Sequence, residues 1–279
     1  IQELLQYTFQ TDNDWTLATS GTGTAAMETT IGNLLEPGET MLVRESGYWG
    51  DRMAQMAHRV GGEVVSLDVS PTAPIDPADA ADAFADNDID VFGFTHGDTT
   101  TGILQPDVAE LASIARDHDA YTIMDCVTSL SGVEVQVDGW GVDAVYGSPQ
   151  KCLSCTPGVT PLTVGDRARE KILGRETDPK SWYLDLTGVM EYWGDDPSYH
   201  HTPPTSSLYG LRESLRLVAE EGLEARWKRH RDVAGALVEG LEDLGLELFP
   251  DRDHWLPSLN TIRVPDGVDD AAVIDFLLS

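Results

Sequence analysis

Apolar and polar positions along the chain follow two rhythms. Short apolar runs bounded by turn residues predict strands at "TMLVRE" (40–45), after the turn "EPGE", and at "EVVSLDV" (63–69), after Gly61-Gly62. "DVFGFTHGD" (90–98) begins as such a run and passes into polar turn residues. "AYTIMDC" (120–126) predicts a buried strand ending on a carboxylate, and "DAVYGS" and "VTPLTV" predict two shorter ones. Between them, "DVAELASIARDHD" (107–119) carries apolar residues at 108, 111, 112 and 115, one face of a helix. Strands separated by helices of this length imply βαβ units and a mainly parallel sheet. A long helical stretch, 206–245, has a glycine at 222, and "SLNTIRVP" (258–265) predicts one more strand. "DGVDDAAVIDFLL" then opens a helix behind Asp266 or Asp269 as cap. The expected organisation is a large domain over 1–221 and a smaller α+β domain over 222–279, with both chain ends incomplete.

Composition changes this picture in one respect. The chain has 279 residues, 41% of them hydrophobic and spread throughout, enough for a sizeable core. Against 18 basic residues stand 48 acidic ones, a formal net charge of -30. The acid is distributed, as in "DPADAADAFADNDID" (76–90) and the Asp195-Asp196 pair, and reads as solvated surface. Such a surface repels nucleic acid and anionic membranes and is self-repulsive at low salt, which predicts a protein of a salt-loving cytoplasm. No apolar run is long enough to cross a membrane, and the first residues, "IQELLQYTFQ", lack the basic region and long apolar stretch of a signal peptide, so none is expected there. Three cysteines in a chain of this length predict no disulfide framework.

Two places carry candidate chemistry. In "LATSGTGTAAMETTIGNLLEPG" a strand end runs into a helix, and Gly21, Gly23 and Ala26 satisfy G-x-G-x-x-A. This turn fits a dinucleotide site with Glu45 as ribose acid, a cup for one phosphate with Thr22 and Thr24 as added donors, or a plain tight turn. The hydroxyls flanking Gly23 favour the single phosphate. Downstream, Asp125 ends the most apolar strand, and Lys151 follows the next strand in "YGSPQKCLSCTPG". Ligands of parallel sheets sit beyond the carboxyl ends of strands. An Asp and a Lys there, with a phosphate cup upstream, are the parts that hold pyridoxal phosphate: the lysine forms the Schiff base and the carboxylate keeps the pyridine nitrogen protonated. Lys151 is one of only four lysines. Cys152 and Cys155 form a Cys-x-x-Cys pair with only Cys126 left to join them, too few thiols for a zinc site. His96, His200 and His201 lack metal-ligand spacing, so no metal is expected.

Taken together, "SGTGTAAME", "GYWGDR", "THGDTTTGILQP", "MDCVTSLSG", "GSPQKCLSCTPG", "WYLDL", "YHHTPPTSSLYGLRESL" and "LPSLNTIRVP" resemble the class V, fold-type I pyridoxal-phosphate aminotransferases over nearly the entire chain. The branch they look most like contains the alanine–glyoxylate and serine–pyruvate aminotransferases. The resemblance implies a three-layer fold and a homodimer with shared active sites. It implies transfer of an amino group from alanine or serine to glyoxylate or pyruvate. Lys151 would carry the covalent link to the cofactor and Asp125 would pair with its ring nitrogen. Trp49 and Val127 would flank the ring and Thr99 would bond near the phenolic oxygen. Thr22, Gly23, Thr24 and Gln150 would hold the phosphate, with Tyr199 and Thr202 reaching that of the neighbouring subunit. Close relatives often carry His where Thr24 stands. The arginine that grips the substrate carboxylate has no match before Ser279, and Arg263 sits in a strand that does not fit it. Rival readings are another class V enzyme such as a lyase or desulfurase, a nicotinamide dehydrogenase, and a silent cofactor-binding module. A desulfurase wants a cysteine on a later loop, and none follows Cys155.

Overall fold

A computed structural model describes residues 1–279 apart from Ser46 and Asp195, the latter half of the acidic pair expected at the surface. Its strands are β1 (Trp15–Gly21), β2 (Thr40–Val43), β3 (Glu63–Ser66), β4 (Val91–Thr95), β5 (Tyr121–Asp125), β6 (Ala144–Tyr146) and β7 (Gly158–Val164). They form one sheet in the order β1-β7-β6-β5-β4-β2-β3. Only β7 runs against its neighbours, β1 and β6; the other pairings are parallel. The carboxyl ends of β1, β2, β4, β5 and β6 therefore share one edge of the sheet.

The helices are α1 (Gln2–Phe9), α2 (Gly23–Leu34), α3 (Tyr48–Val60), α4 (Pro77–Asp86), α5 (Val108–Asp117), α6 (Val137–Trp140), α7 (Asp166–Leu173), α8 (Leu186–Trp193), α9 (Thr205–Glu221), α10 (Leu223–Asp243) and α11 (Asp270–Leu278). Two cores lie on opposite faces of the sheet, which makes three layers. One gathers Ala26, Met27 and Ile31 of α2 with Met53 of α3 and Ala168 of α7; the other gathers Leu5 and Phe9 of α1, Phe84 of α4, Leu111 of α5 and Leu215 of α9. The strands feed them alternately. Ile123, Ala144 and Tyr146 belong to the α2 face, and Met124 and Val145 to the other. This period of two puts Asp125, one step past Met124, on the α2 face beside Tyr146, its partner in the β5–β6 register.

The predicted strands at 40, 63, 90, 120, 143 and 159 and the helix at 107 are all present. The helical stretch at 206–245 is two helices, because Gly222 takes φ +83° and breaks the ladder between α9 and α10. Asp269 caps α11, accepting from the N–H groups of Ala271 and Ala272. The run 258–265 is not a strand. It makes one antiparallel bridge, Leu248↔Ile262, with hydrogen bonds from Phe249 N to Thr261 O and from Arg263 N to Glu247 O, both 2.8 Å. A ladder needs a partner along its length, and Pro257 and Pro265 remove donors at both ends. The acidic stretch 76–90 contains α4 and the turn after it: Asp76, Asp79, Asp82, Asp86 and Asp88 are exposed while Ala80, Phe84 and Ile89 are buried. No helix among the described residues is long and apolar enough to cross a membrane.

Candidate active site

The glycine-rich entry to α2 is built at the end of β1. Gly21 has φ +134°, and a Cβ there would meet Ala25 Cβ at 2.5 Å, so glycine is required. Thr22 occupies the N-cap position without using its side chain as a cap, and no acidic residue stands in the first turn. The Thr22 hydroxyl and the N–H groups of Gly23 and Thr24 stay available to an anion, while Ala25 N donates back to Thr22 O at 2.8 Å. A Cβ on Gly23 would lie 3.2 Å from both Ser148 Oγ and Val127 Cγ2, so the helix start touches the turns that follow β5 and β6. Thr24 Oγ1 accepts from Arg52 Nη1 at 3.1 Å, which ties the same helix start to α3.

Asp125 is 4% exposed. Its Oδ1 accepts from Val127 N at 2.7 Å and its Oδ2 from Tyr146 Oη at 2.8 Å. Burial drives its carboxyl up to about 6 against these two donors, and nearby Asp98 pushes in the same direction as burial. Burial also holds the Tyr146 hydroxyl well above its ordinary range, so it remains a donor. Each Asp125 oxygen keeps a free lone pair, which suits a cationic N–H partner.

Lys151 stands exposed in the turn after β6. The ammonium groups of the other three lysines are engaged: Lys171 with Glu39 at 2.6 Å, Lys180 with Arg59 O at 2.8 Å, Lys228 with Asp232 at 2.5 Å. Lys151 Nζ has no such partner among the described residues. Its turn is held by its neighbours. Ser148 Oγ donates to Gln150 Oε1 at 2.6 Å, Cys155 N to Pro149 O at 2.8 Å, Ser214 of α9 to Leu153 O, and Arg226 of α10 to Cys152 O.

The two cysteines point apart. Cys152 Sγ donates to Thr128 O at 3.3 Å, and burial raises its thiol; Cys155 lies against Thr156 and Gly210. All three cysteines are free, and no group of His, Cys, Asp and Glu among the described residues is placed to hold a metal. His96 is buried with Nδ1 2.9 Å from Ser129 Oγ, and burial lowers it to about 3.

The remaining expected residues fall in two places. Trp49 lies half-buried on α3 under the Arg52 guanidinium, 4.9 Å from the ring centre. Thr99 follows β4 in a loop braced by Asp98, which accepts from Thr100 N at 2.8 Å and Thr101 Oγ1 at 3.1 Å. Tyr199 and Thr202 are 3.2 Å apart through their hydroxyls on an exposed loop, with Tyr199 73% exposed. His201 anchors that loop to β1 at 2.6 Å from Ser20 Oγ, and His200 stacks on Trp182 at 4.2 Å. Thr22, Gly23, Thr24, Asp125, Val127, Gln150 and Lys151 thus gather at one sheet edge; Tyr199 and Thr202 face outward. Sequence reasoning missed Tyr146, whose signal was a tyrosine at the last position of the strand before Lys151. It also missed Arg52, one helical turn beyond Trp49.

These residues fit pyridoxal phosphate: a buried carboxyl for the ring nitrogen, an amine with no partner among the described residues, and a helix start whose Thr22 hydroxyl is not used as a cap for the phosphate. The family described as "Aminotransferase class-V" matches residues 1–279. Alanine–glyoxylate aminotransferase of Drosophila melanogaster is 39% identical over 100% of this chain and 72% of its own length. (S)-Ureidoglycine–glyoxylate transaminase of Bacillus subtilis (strain 168) is 34% identical over 99% of this chain and 71% of its own. The crystal structure of alanine–glyoxylate aminotransferase from Nostoc sp. superposes with a TM-score of 0.98 at 42% identity, over 100% of this chain and 74% of that one. The chain belongs to the class V aminotransferases, a family that is generally pyridoxal-phosphate dependent, and it is a transaminase.

Proposed function

We propose that this transaminase moves an amino group from alanine or serine to glyoxylate or pyruvate with pyridoxal phosphate as cofactor. The observation that carries the reading is the placing of Asp125, held by Tyr146 and Val127, and of Lys151, whose ammonium has no partner among the described residues, after the neighbouring strands β5 and β6 at one edge of the sheet. The names of the glyoxylate-dependent relatives support the substrate class.

Position at the sheet edge supports the roles that the family resemblance implies. Thr22, Gly23, Thr24 and Gln150 would hold the phosphate, Trp49 and Val127 the two faces of the ring, and Thr99 the phenolic oxygen. When bound, the cofactor supplies an electron sink for the pair left on the substrate Cα. Ionised Asp125, held by Val127 and Tyr146, would keep a proton on the cofactor's ring nitrogen, which would deepen that sink. The Lys151 amine would hold the cofactor covalently and, once freed by the donor amino acid, would serve as the base that takes up the substrate Cα proton and gives it back. Donor and acceptor then use one site in turn. With alanine and glyoxylate varied together, initial rates should give the parallel double-reciprocal lines of a ping-pong enzyme. Intersecting lines, or no pyruvate formed from alanine, would remove the reading.

Tyr146→Phe tests the Asp125 arrangement. Cofactor affinity should fall on the acid side of about pH 6, as the carboxyl of the cofactor-free protein takes up its proton. Removing a donor to a charged group costs about 1.5–3 kcal/mol, so the variant should move that limb up by roughly one to two pH units. An unmoved limb would show that the hydroxyl does not support the carboxylate.

The same reading takes the enzyme as a homodimer in which Tyr199 and Thr202 serve the partner's site; their exposure supports this. It keeps a large domain over 1–221 and a smaller one from 222, supported by the helix break at Gly222. It also places the protein in a salt-rich cytoplasm, supported by the exposed acids of α4 and the net charge of -30. The melting temperature should then rise by roughly 10 °C between 0.1 M and 2 M KCl as screening relieves self-repulsion. A flat response would sink the salt reading alone.

A further inference from the structure

The phosphate cup proposed above has a charge problem. A phosphate monoester carries nearly two negative charges at pH 7. Thr22, Gly23, Thr24 and Gln150 offer only neutral donors, in a chain with a net charge of -30. The helix start of α2 contributes about half a positive charge. One guanidinium reaches this place. Arg52 Nη1 lies 3.1 Å from Thr24 Oγ1, and its Cζ stands 4.9 Å from the Trp49 ring centre and 4.6 Å from that of Tyr48. A second nitrogen donates to Tyr48 Oη. In a protein with 48 carboxylate side chains, Arg52 forms no ion pair among the described residues. It is instead fixed by two aromatic rings and the Tyr48 hydroxyl, with one nitrogen, Nη1, at the cup.

We infer that Arg52 is the cation of the cofactor phosphate site. This rests on the pyridoxal-phosphate reading and adds a residue to it. Both placements follow from one helix: Trp49 and Arg52 are three residues apart on α3 and share a face. The ring that would flank the pyridine and the charge that would meet the phosphate are thus carried by the same rigid element. A planar guanidinium suits a phosphate better than a point charge, because its N–H groups pair with two oxygens at once. The contact to Thr24 shows that the guanidinium reaches the cup without rearrangement of the backbone.

Equilibrium dialysis of the cofactor-free full chain, at one fixed KCl concentration, separates this from a packing role. The probes are pyridoxal phosphate, pyridoxal and inorganic phosphate. Arg52→Gln should bind pyridoxal phosphate at least tenfold more weakly, bind pyridoxal as the wild type does, and no longer let inorganic phosphate compete. Arg52→Lys should recover a large part of the loss, since it restores the charge without the fork. Circular dichroism checks that each variant is folded. Equal binding of pyridoxal phosphate by wild type and Arg52→Gln would overturn the inference while leaving the cofactor reading intact. So would a parallel loss of pyridoxal phosphate and pyridoxal in Arg52→Gln and Arg52→Lys, which marks Arg52 as packing for Trp49. A wild-type protein that binds neither aldehyde would overturn the cofactor reading, and Arg52 with it.

Discussion

Lys151→Ala should reduce amino transfer by about 10⁴-fold, the upper end of what one positioned proton-transfer group contributes. The loss should appear in kcat rather than in the binding of the phosphate. The reason is local. The turn from Gly147 to Cys155 is pinned through its own backbone and by Ser214 and Arg226 from α9 and α10. It keeps its shape when the lysine side chain is removed. None of the three other amines can substitute, because each is occupied by a carboxylate or a carbonyl elsewhere on the surface. Stopped single-turnover reaction with alanine is the measurement. A variant that retains more than about a tenth of the wild-type rate would assign the proton transfer to another group.

Asp125→Asn should show two opposite effects. Turnover should fall by about 10²–10³-fold, as expected when a preorganised charge beside the reacting system is removed. The cofactor-free protein should become more stable at pH 8. Burial raises the Asp125 carboxyl from 3.8 to about 6. Below pH 3.8 the group is neutral in the folded and unfolded chain alike and costs nothing. As pH rises from 3.8 to about 6 the unfolded chain ionises while the folded protein keeps its proton, and stability is lost, by roughly 3 kcal/mol once both states are ionised. Asparagine avoids that loss while still accepting from Val127 N or Tyr146 Oη. Urea unfolding should therefore favour the variant by up to about 3 kcal/mol at pH 8, with the advantage shrinking toward pH 4. Equal stability across that range would mean that Asp125 is not held as a strained acid awaiting a cation.

Much of this arrangement was legible in the sequence, because it depends on short-range rules. The alternation in "AYTIMD" fixes which face of β5 receives Asp125, and Gly21 with Gly23 fixes the turn into α2. What was not legible depends on register between distant segments. Tyr146 and Asp125 are 21 residues apart, and only the β5–β6 pairing makes one the donor to the other. Arg52 and Thr24 are 28 apart and meet through the packing of α2 on α3. The stretch 258–265 misled for the same reason: its residues favour an extended chain, but a strand exists only where a neighbour supplies the ladder. The Cys-x-x-Cys spacing was equally uninformative by itself. In the fold, Cys152 turns inward to Thr128 and Cys155 toward α9, so the spacing reflects a turn and not a shared ligand.

Borohydride reduction of the cofactor-loaded protein, followed by peptide mapping, tests the centre of this account. The reduction makes the bond between the cofactor and its lysine permanent, and the chain offers only Lys151, Lys171, Lys180 and Lys228. The account predicts one pyridoxyl-phosphate group per chain, on Lys151. A label on any of the other three, or none at all, would contradict it.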